Sequence, residues 1–543
     1  MRRGAKGSLA LLAATALLLG GCTTSAPKES AVSKESAIPS ETFITEESVA
    51  PAEGPSGVFY EVFVRSFADS NGDGIGDLNG LTAKLDYLDR LGVDGLWLMP
   101  IQPSPSYHGY DVTDYYGIHP DYGTMDDFRK LLQEAHRRGI RVIMDLVVNH
   151  TSSEHPWFVD SAQGAGSKYR DWYTWAENAE QATPSDGATG SDPWHKGAHG
   201  SYLGVFWGGM PDLNFDHPEV RKEMVAIGQY WLKEGVDGFR LDAAKHIFGD
   251  FKSTISTPTV QQKNKSWWQE FRQGLNAVNP DAYLVGEVWD GAAIVAPYLD
   301  NALDSAFNFD LAGTLLGAAA SGKSSGIGFT LSRMHGYFGK VSGGRFVDAP
   351  FLSNHDQTRV MNAVGGSVDR AKLAASLLLT MPGNAFVYYG EELGVAGIKP
   401  DEKLREPFPW TRKGGSPEET TWQNSSYRTE EASVEAQEAD PKSLLNHYRK
   451  LISWRAQLPA LRLGTIASYD AGNEYVTSYL RASGDEKALV LHNMSEQLQA
   501  VTLPESNAGQ TSFAKLTLTT DDAASLDGRT ISLPPYTTVV LIP

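Results

Sequence analysis

Three carboxylates stand where a polar residue abruptly follows an apolar run. Val236-Asp237-Gly238-Phe239-Arg240-Leu241-Asp242 ends on an aspartate, and the period-two alternation of a strand puts Gly238, Arg240 and Asp242 on one face. An arginine beside an aspartate favours the ionised carboxylate, the state a nucleophile needs near neutral pH. Tyr283-Leu284-Val285-Gly286-Glu287-Val288-Trp289 delivers Glu287 at the end of an almost wholly apolar strand, beside an indole. Such surroundings raise a carboxyl pKa and suit a proton donor. Phe351-Leu352-Ser353-Asn354-His355-Asp356-Gln357-Thr358-Arg359 supplies Asp356 in the same manner. Singly, each would pass for a helix cap or a turn residue. Together, carboxyls of opposed protonation meet the requirement for breaking a glycosidic bond with retention: one attacks the anomeric carbon and the other protonates the leaving oxygen, at about 5–5.5 Å separation.

Such groups need a rigid frame. Apolar, strand-like runs recur at 58–64, 93–99, 140–148, 236–241, 282–288, 303–307, 349–352 and 385–389. Helical patterns lie between several of them, at 81–91, 125–138, 220–234, 267–278 and 369–381, with lysine, arginine or glycine near their ends. Alternating strands and helices imply a parallel sheet, and eight units over about 400 residues suit a (β/α)8 TIM barrel, whose catalytic residues lie at the carboxyl ends of its strands. Pattern alone leaves a doubly wound sheet open. The barrel is assigned to residues 55–150 and 217–463. Between them, 151–216 is rich in Gly, Ser, Trp, His and Asp without periodicity, and it reads as a small subdomain inserted after strand 3, with a cleft beside it. Short alternating runs at 475–479, 488–492 and 537–542 mark residues 464–543 as an antiparallel β-sandwich domain, whose expected role is packing against the barrel.

Composition narrows the substrate. The formal net charge of −19 repels polyphosphate, so nucleic acid is not an expected partner and a neutral substrate is favoured. The 13 Trp, 22 Tyr and 21 Phe suffice for a core and for ring platforms against sugars. Cys22 is the single cysteine, which excludes an internal disulfide, a Cys-based zinc site and a thiol nucleophile in the body. Arg2, Arg3 and Lys6 precede an apolar run from Leu9 to Leu19, too short to span a bilayer comfortably, ending in Leu19-Gly20-Gly21-Cys22. This resembles a bacterial lipoprotein signal, with 1–21 removed and Cys22 lipidated. An ordinary signal peptide is the alternative. Residues 22–54, rich in Ser, Thr, Glu, Ala and Pro, read as a flexible tether. The expected location is therefore outside the cytoplasm, anchored to the cell membrane by lipid, and a monomer is expected.

Four ordered segments carry a family resemblance. Asp145-Leu146-Val147-Val148-Asn149-His150, Gly238-Phe239-Arg240-Leu241-Asp242, Gly286-Glu287-Val288 and Asn354-His355-Asp356 resemble the signature segments of the α-amylase family of glycoside hydrolases, over about residues 57–543. The resemblance implies Asp242 as nucleophile, Glu287 as general acid/base and Asp356 as the third carboxylate, which grips and distorts the sugar. It implies that Arg240 orients the nucleophile, that His150 and His355 bind hydroxyls of the same sugar, and that Tyr110 stacks on it. Asp111 would support the site or serve the fold.

Asp69-Ser70-Asn71-Gly72-Asp73-Gly74-Ile75-Gly76-Asp77 places oxygen ligands at alternate positions, as calcium requires. Gly80 stands where an EF-hand would carry its bidentate glutamate, so the loop would close early through Asp77, with the Ile75 carbonyl as a further ligand. Similar loops follow the first barrel strand in relatives. A second calcium site implied by the family would use Asn149 and the His246 carbonyl. No organic cofactor is expected.

Specificity is less sharply written. Ala243-Ala244-Lys245-His246 looks like the α-1,4-acting amylases, whose lysine and histidine reach the sugar beyond the cleavage point. Met210-Pro211-Asp212-Leu213-Asn214 instead resembles oligosaccharide-acting members, with methionine replacing glutamine. The expectation is an endo-acting α-amylase on starch, glycogen or maltodextrins, with an α-glucosidase, oligo-1,6-glucosidase or transglycosylase as the alternative. A non-catalytic glucan-binding lipoprotein is the reading from another class, opposed by the presence of all three carboxylates.

Overall fold

The computed structural model describes residues 56–178, 181–182, 186–248, 257–324, 326–505 and 511–543. The signal-peptide, Cys22 and tether readings lie outside the described residues. No described helix is long and apolar enough to cross a membrane.

Seven parallel strands pair in the order Ala385–Tyr388, Val58–Val62, Gly95–Leu98, Arg141–Leu146, Gly238–Leu241, Tyr283–Gly286 and Ser305–Ala306. The ring closes through two parallel bridges, Phe307 to Ala349 and Phe351 to Phe386. The arrangement is the (β/α)8 barrel. Its seventh run, expected as a strand at 349–352, contributes bridges only, because Pro350 has no N–H to donate to a ladder. The strands are buried along almost their whole length, as parallel strands covered on both faces must be. Phe59, Trp97, Ile143, Val285, Phe307, Phe351 and Phe386, from successive strand positions, pack with one another as a plug inside the barrel.

The helices follow local rules. Met125–Arg137 begins with a reciprocal capping box between Thr124 and Asp127, and Phe128, Leu131, Leu132 and Ala135 form its buried stripe. Pro218–Glu234 starts with proline in its first turn and stops at Gly235, whose φ of 106° is the left-handed conformation that ends helices. The pattern at 81–91 resolves into two short helices, Leu78–Ala83 and Leu85–Leu91, because the Asp77 cap starts the first one three residues earlier, at Leu78, and Lys84 (ψ 4°) breaks the spiral.

Residues 151–216 build a three-stranded sheet in the order Trp175–Ala176, Gly200–Leu203, Trp194–Gly197. A bridge from His150 to Asp212 ties the insertion to the third barrel strand's exit, and one from Tyr173 to Leu213 links two of its own segments. At the carboxyl end, a five-stranded antiparallel sheet faces a three-stranded one across Val476, Leu489, Leu491, Val501, Ile531, Leu533, Val539 and Leu541. The barrel and this sandwich share buried polar links: Arg481 donates to the carbonyls of Thr380, Leu461 and Gly464, and Tyr479 Oη lies 2.6 Å from Thr380 Oγ1.

Candidate active site

Strand register brings the first charges together. Asp145 and Arg240 are partners on adjacent strands, and Arg240 Nη1 donates to Asp145 Oδ1 at 2.9 Å and to Asp242 Oδ1 at 2.6 Å. Its Nη2 donates to Glu287 Oε2 at 2.6 Å. One buried, planar guanidinium therefore holds Asp145, Asp242 and Glu287. Glu287 Oε2 also accepts from the Ala243 N–H at 3.1 Å. Ala243 adopts φ 47°, a left-handed conformation that costs a residue with a Cβ about 1–2 kcal/mol. The strained turn is what aims that N–H at the glutamate. Among the described residues, Asp242 Oδ2 and Glu287 Oε1 accept no hydrogen bond.

The third carboxylate comes from across the barrel. Asp356 Oδ1 accepts from Arg405 Nη2 at 2.9 Å, and its Oδ2 lies 3.1 Å from His355 Nε2. His355 Nδ1 faces Glu61 Oε1 at 2.6 Å, and its Nε2 lies 2.7 Å from Tyr110 Oη. Tyr110 Oη in turn donates to Asp145 Oδ2 at 3.0 Å. Asp145, Tyr110, Arg240, Asp242, Glu287, His355, Asp356 and Arg405 thus form one continuous network.

A profile described as "Alpha amylase, catalytic domain" matches residues 61–464, and one described as "Alpha-amylase SusG C-terminal domain" matches residues 476–540. The chain is 48% identical over 440 residues to "Alpha-amylase 3" of Dictyoglomus thermophilum, covering 81% of this chain and 84% of that one. The crystal structure of an alpha-amylase from H. orenii superposes with a TM-score of 0.83 at 44% identity, covering 90% of this chain and 99% of that one. The chain belongs to the α-amylase family of glycoside hydrolases. More distant members with other names match as well. A 4-alpha-glucanotransferase of Thermotoga maritima is 35% identical over 74% of this chain and 89% of its own length. An oligo-1,6-glucosidase of Parageobacillus thermoglucosidasius is 31% identical over 82% of this chain and 91% of its own.

In this α-amylase family member, burial reshapes the charges. Asp242 was expected to be held down by Arg240. Burial instead dominates, Arg240 offsets it only in part, Asp145 adds to it, and the carboxyl is pushed up to about 6. Glu287 is raised by burial, against Arg240, with Asp242 and Asp356 adding to the rise. The neighbouring indole is turned away from this role: Trp289 is about half exposed and stacks on Phe309. For Asp356, burial would raise the carboxyl, but the charges of His355 and Arg405 outweigh it and hold it well below the usual carboxylate range.

The remaining expected residues fall around this network. Tyr110 stacks on His355 with centroids 5.4 Å apart. His150 has its ring nitrogens 3.0 Å from Asn149 Oδ1 and 3.1 Å from the Tyr110 carbonyl, and burial pushes it down to about 4. Lys245 Nζ donates to the Trp289 carbonyl at 2.6 Å and to Asp290 at 3.2 Å. The His246 ring packs on Phe206, which also contacts His150. Asp111 Oδ1 accepts from Ser104 at 2.7 Å and from Ser106, so it ties down the loop that carries Tyr110.

The acidic loop lies apart from the catalytic network. Asp69 accepts from the N–H groups of Asn71, Gly72 and Gly74, and Asp77 accepts from Ser70 and caps the next helix at Gly80. Asn71 and Asp73 accept from the N–H two residues on. The Gly74 carbonyl takes N–H groups from Thr421 and Trp422, which pins the loop to that segment. Among the described residues no group of three or more His, Cys, Asp or Glu is placed to hold a metal ion. The loop's donors are nevertheless all oxygen, with an amide and a backbone carbonyl beside the carboxylates, the chemistry a hard cation takes. Asn149 Nδ2 donates to the His246 carbonyl at 2.9 Å, so the two groups expected at a second calcium site meet through a direct hydrogen bond.

Asp145, Glu61 and Arg405 were not assigned roles from the sequence. A glutamate inside the apolar run Val58–Val62 is the visible signal for Glu61. Arg405 follows a stretch without periodicity, and nothing local marks it.

Proposed function

We propose that the chain is a retaining, endo-acting α-amylase that cleaves internal α-1,4 bonds of starch, glycogen or maltodextrins. The observation that carries this reading is Arg240 holding one oxygen of Asp242 and one of Glu287 while the other oxygen of each stays uncommitted. With Oε2 occupied by two N–H donors, Glu287 carries its proton on Oε1. Asp242 Oδ2 attacks the anomeric carbon, the glycosidic C–O bond breaks, and the Glu287 proton goes to the leaving oxygen. A water that gives its proton to Glu287 then attacks the same carbon and releases Asp242. Asp356, ionised and anchored by Arg405, complements the positive charge that develops on the sugar.

Endo action is supported by the two relatives named alpha-amylase. The glucanotransferase and oligo-1,6-glucosidase relatives favour a second reading, in which a sugar hydroxyl replaces water or chain ends are attacked. Product analysis on amylose, maltotriose, isomaltose and pullulan separates them. Rapid viscosity loss with mixed maltooligosaccharides is expected; glucose alone released from chain ends, or elongated products, would overturn endo hydrolysis.

Two further readings belong to this proposal. The 69–77 loop would hold calcium through Asp69, Asn71, Asp73, Asp77 and the Ile75 carbonyl, in support of the fold. Cys22 would carry lipid and hold the enzyme on the outside of the cell membrane. Cys22→Ser is then expected to release active enzyme from the membrane fraction, and unchanged fractionation would count against the anchor.

A further inference from the structure

Glu61 sits in the first barrel strand with 1% exposure, on the far side of His355 from Asp356. Both ring nitrogens of His355 face carboxylates: Nδ1 lies 2.6 Å from Glu61 Oε1 and Nε2 lies 3.1 Å from Asp356 Oδ2. An ionised carboxylate only accepts hydrogen bonds, so each nitrogen must donate. The Tyr110 hydroxyl extends the chain. Its oxygen lies 2.7 Å from His355 Nε2, whose single N–H it shares with Asp356, and it gives its own proton to Asp145, which accepts in turn from Arg240. Every donor along the path from Glu61 to the guanidinium that holds Asp242 and Glu287 has its direction set by the acceptor at the end.

We propose that Glu61 is a positioning residue for catalysis, holding His355 in the doubly donating form that orients Asp356 and Tyr110. This deepens the reading of Asp242, Glu287 and Asp356 as the catalytic carboxylates and rests on it. Burial opposes a charged ring, but Asp356 and Glu61 outweigh it and push His355 up to about 9. The other charged or titratable groups that face this pair are Arg240, Asp145, Tyr110, Tyr388, Glu391 and Arg405. Burial raises the Glu61 carboxyl and Asp356 adds to the rise, while His355, 2.6 Å away, and Arg240 favour its ionised form. Trp97 packs edge-to-face against the His355 ring, with centroids 5.7 Å apart.

Glu61→Gln keeps the shape and removes the charge. Two measurements test the proposal. In the unmodified enzyme labelled with 15N-histidine, with His355 assigned by its loss in His355→Asn, both ring nitrogens are expected to be protonated at pH 7. In Glu61→Gln the ring is expected to become neutral there. A neutral ring in the parent, with the proton on Glu61, would overturn the proposal without any variant. In kinetics on maltooligosaccharides, Glu61→Gln is expected to lower kcat more than it raises KM, by about 10–100-fold, the scale of losing a partner that orients an active-site histidine. Its alkaline limb should move to lower pH as His355 loses its proton earlier. A parental kcat and pH profile in a folded variant would also overturn it. The ring measurement needs no turnover, so a parent that cleaves no α-glucan would refute the proposed activity and leave the state of His355 still measurable.

Discussion

Arg405 donates from Nη2 to Asp356 Oδ1 at 2.9 Å and from Nε to the His355 carbonyl at 3.1 Å, so a residue 49 positions downstream holds the third carboxylate in place. Arg405→Ala would leave the half-buried Asp356 with His355 and the more weakly acting Arg240. We expect kcat to fall about 10²–10³-fold, the scale of losing one preorganised electrostatic partner, with a smaller change in KM. Arg405→Lys should restore little, because one ammonium cannot reproduce the two-point grip of a guanidinium. Steady-state kinetics on maltooligosaccharides checks both, and near-parental kcat in Arg405→Ala would remove Arg405 from the site.

The proposed proton donor, Glu287, and the proposed nucleophile, Asp242, can be separated by substitution. Glu287→Gln keeps both N–H contacts on its side-chain oxygen and is expected to lower kcat about 10²–10⁴-fold on glucans, the range of general acid catalysis. A substrate whose leaving group needs no protonation should recover much of its first step in this variant. Asp242→Asn should lose turnover on both substrates while its melting curve stays cooperative. Parental rates in either variant would reject the assignment.

The pH profile follows from the burial of Asp242. With its carboxyl pushed up to about 6, kcat/KM should fall tenfold per pH unit below that value as the nucleophile becomes protonated. Linkage gives the opposite sign for stability. A folded pKa above the unfolded value of about 3.9 means the contribution is fully present below pH 4 and is lost as pH rises through 6. Asp242→Asn should therefore flatten the stability curve between about pH 4 and 6. Identical melting curves for parent and variant across that window would contradict the assignment.

Metal removal tests the acidic loop. If calcium is bound between Asp69 and Asp77, excess chelator should lower Tm, and calcium at 100 times its Kd should return about 2.7 kcal/mol of stability. Asp69→Asn should abolish the difference between the two conditions. An unchanged melting curve, with metal loss verified by elemental analysis, would remove calcium from the loop.

Much was legible in the order of residues. Alternating apolar runs and helical patterns disclose a parallel sheet because strands covered on both faces must be apolar throughout, though its closure into a barrel rather than a doubly wound sheet is settled by the bridges of the last strands, and turn-rich alternation at the carboxyl end discloses antiparallel sheets. The positions of Asp242, Glu287 and Asp356 at strand ends show for the same reason: a charged side chain stands out against a buried strand. What the chain order hides is which distant groups meet. Glu61 and His355, 294 residues apart, touch only because the barrel closes, and Arg405 reaches Asp356 from a segment with no pattern of its own. The protonation states were hidden too. Local neighbours suggested that Arg240 would keep Asp242 acidic, but desolvation and the charge of Asp145 act through space and prevail. Sequence specifies side-chain chemistry and its period along the backbone; distance and dielectric, which set every pKa and contact in the site, exist only once the strands have closed into a ring.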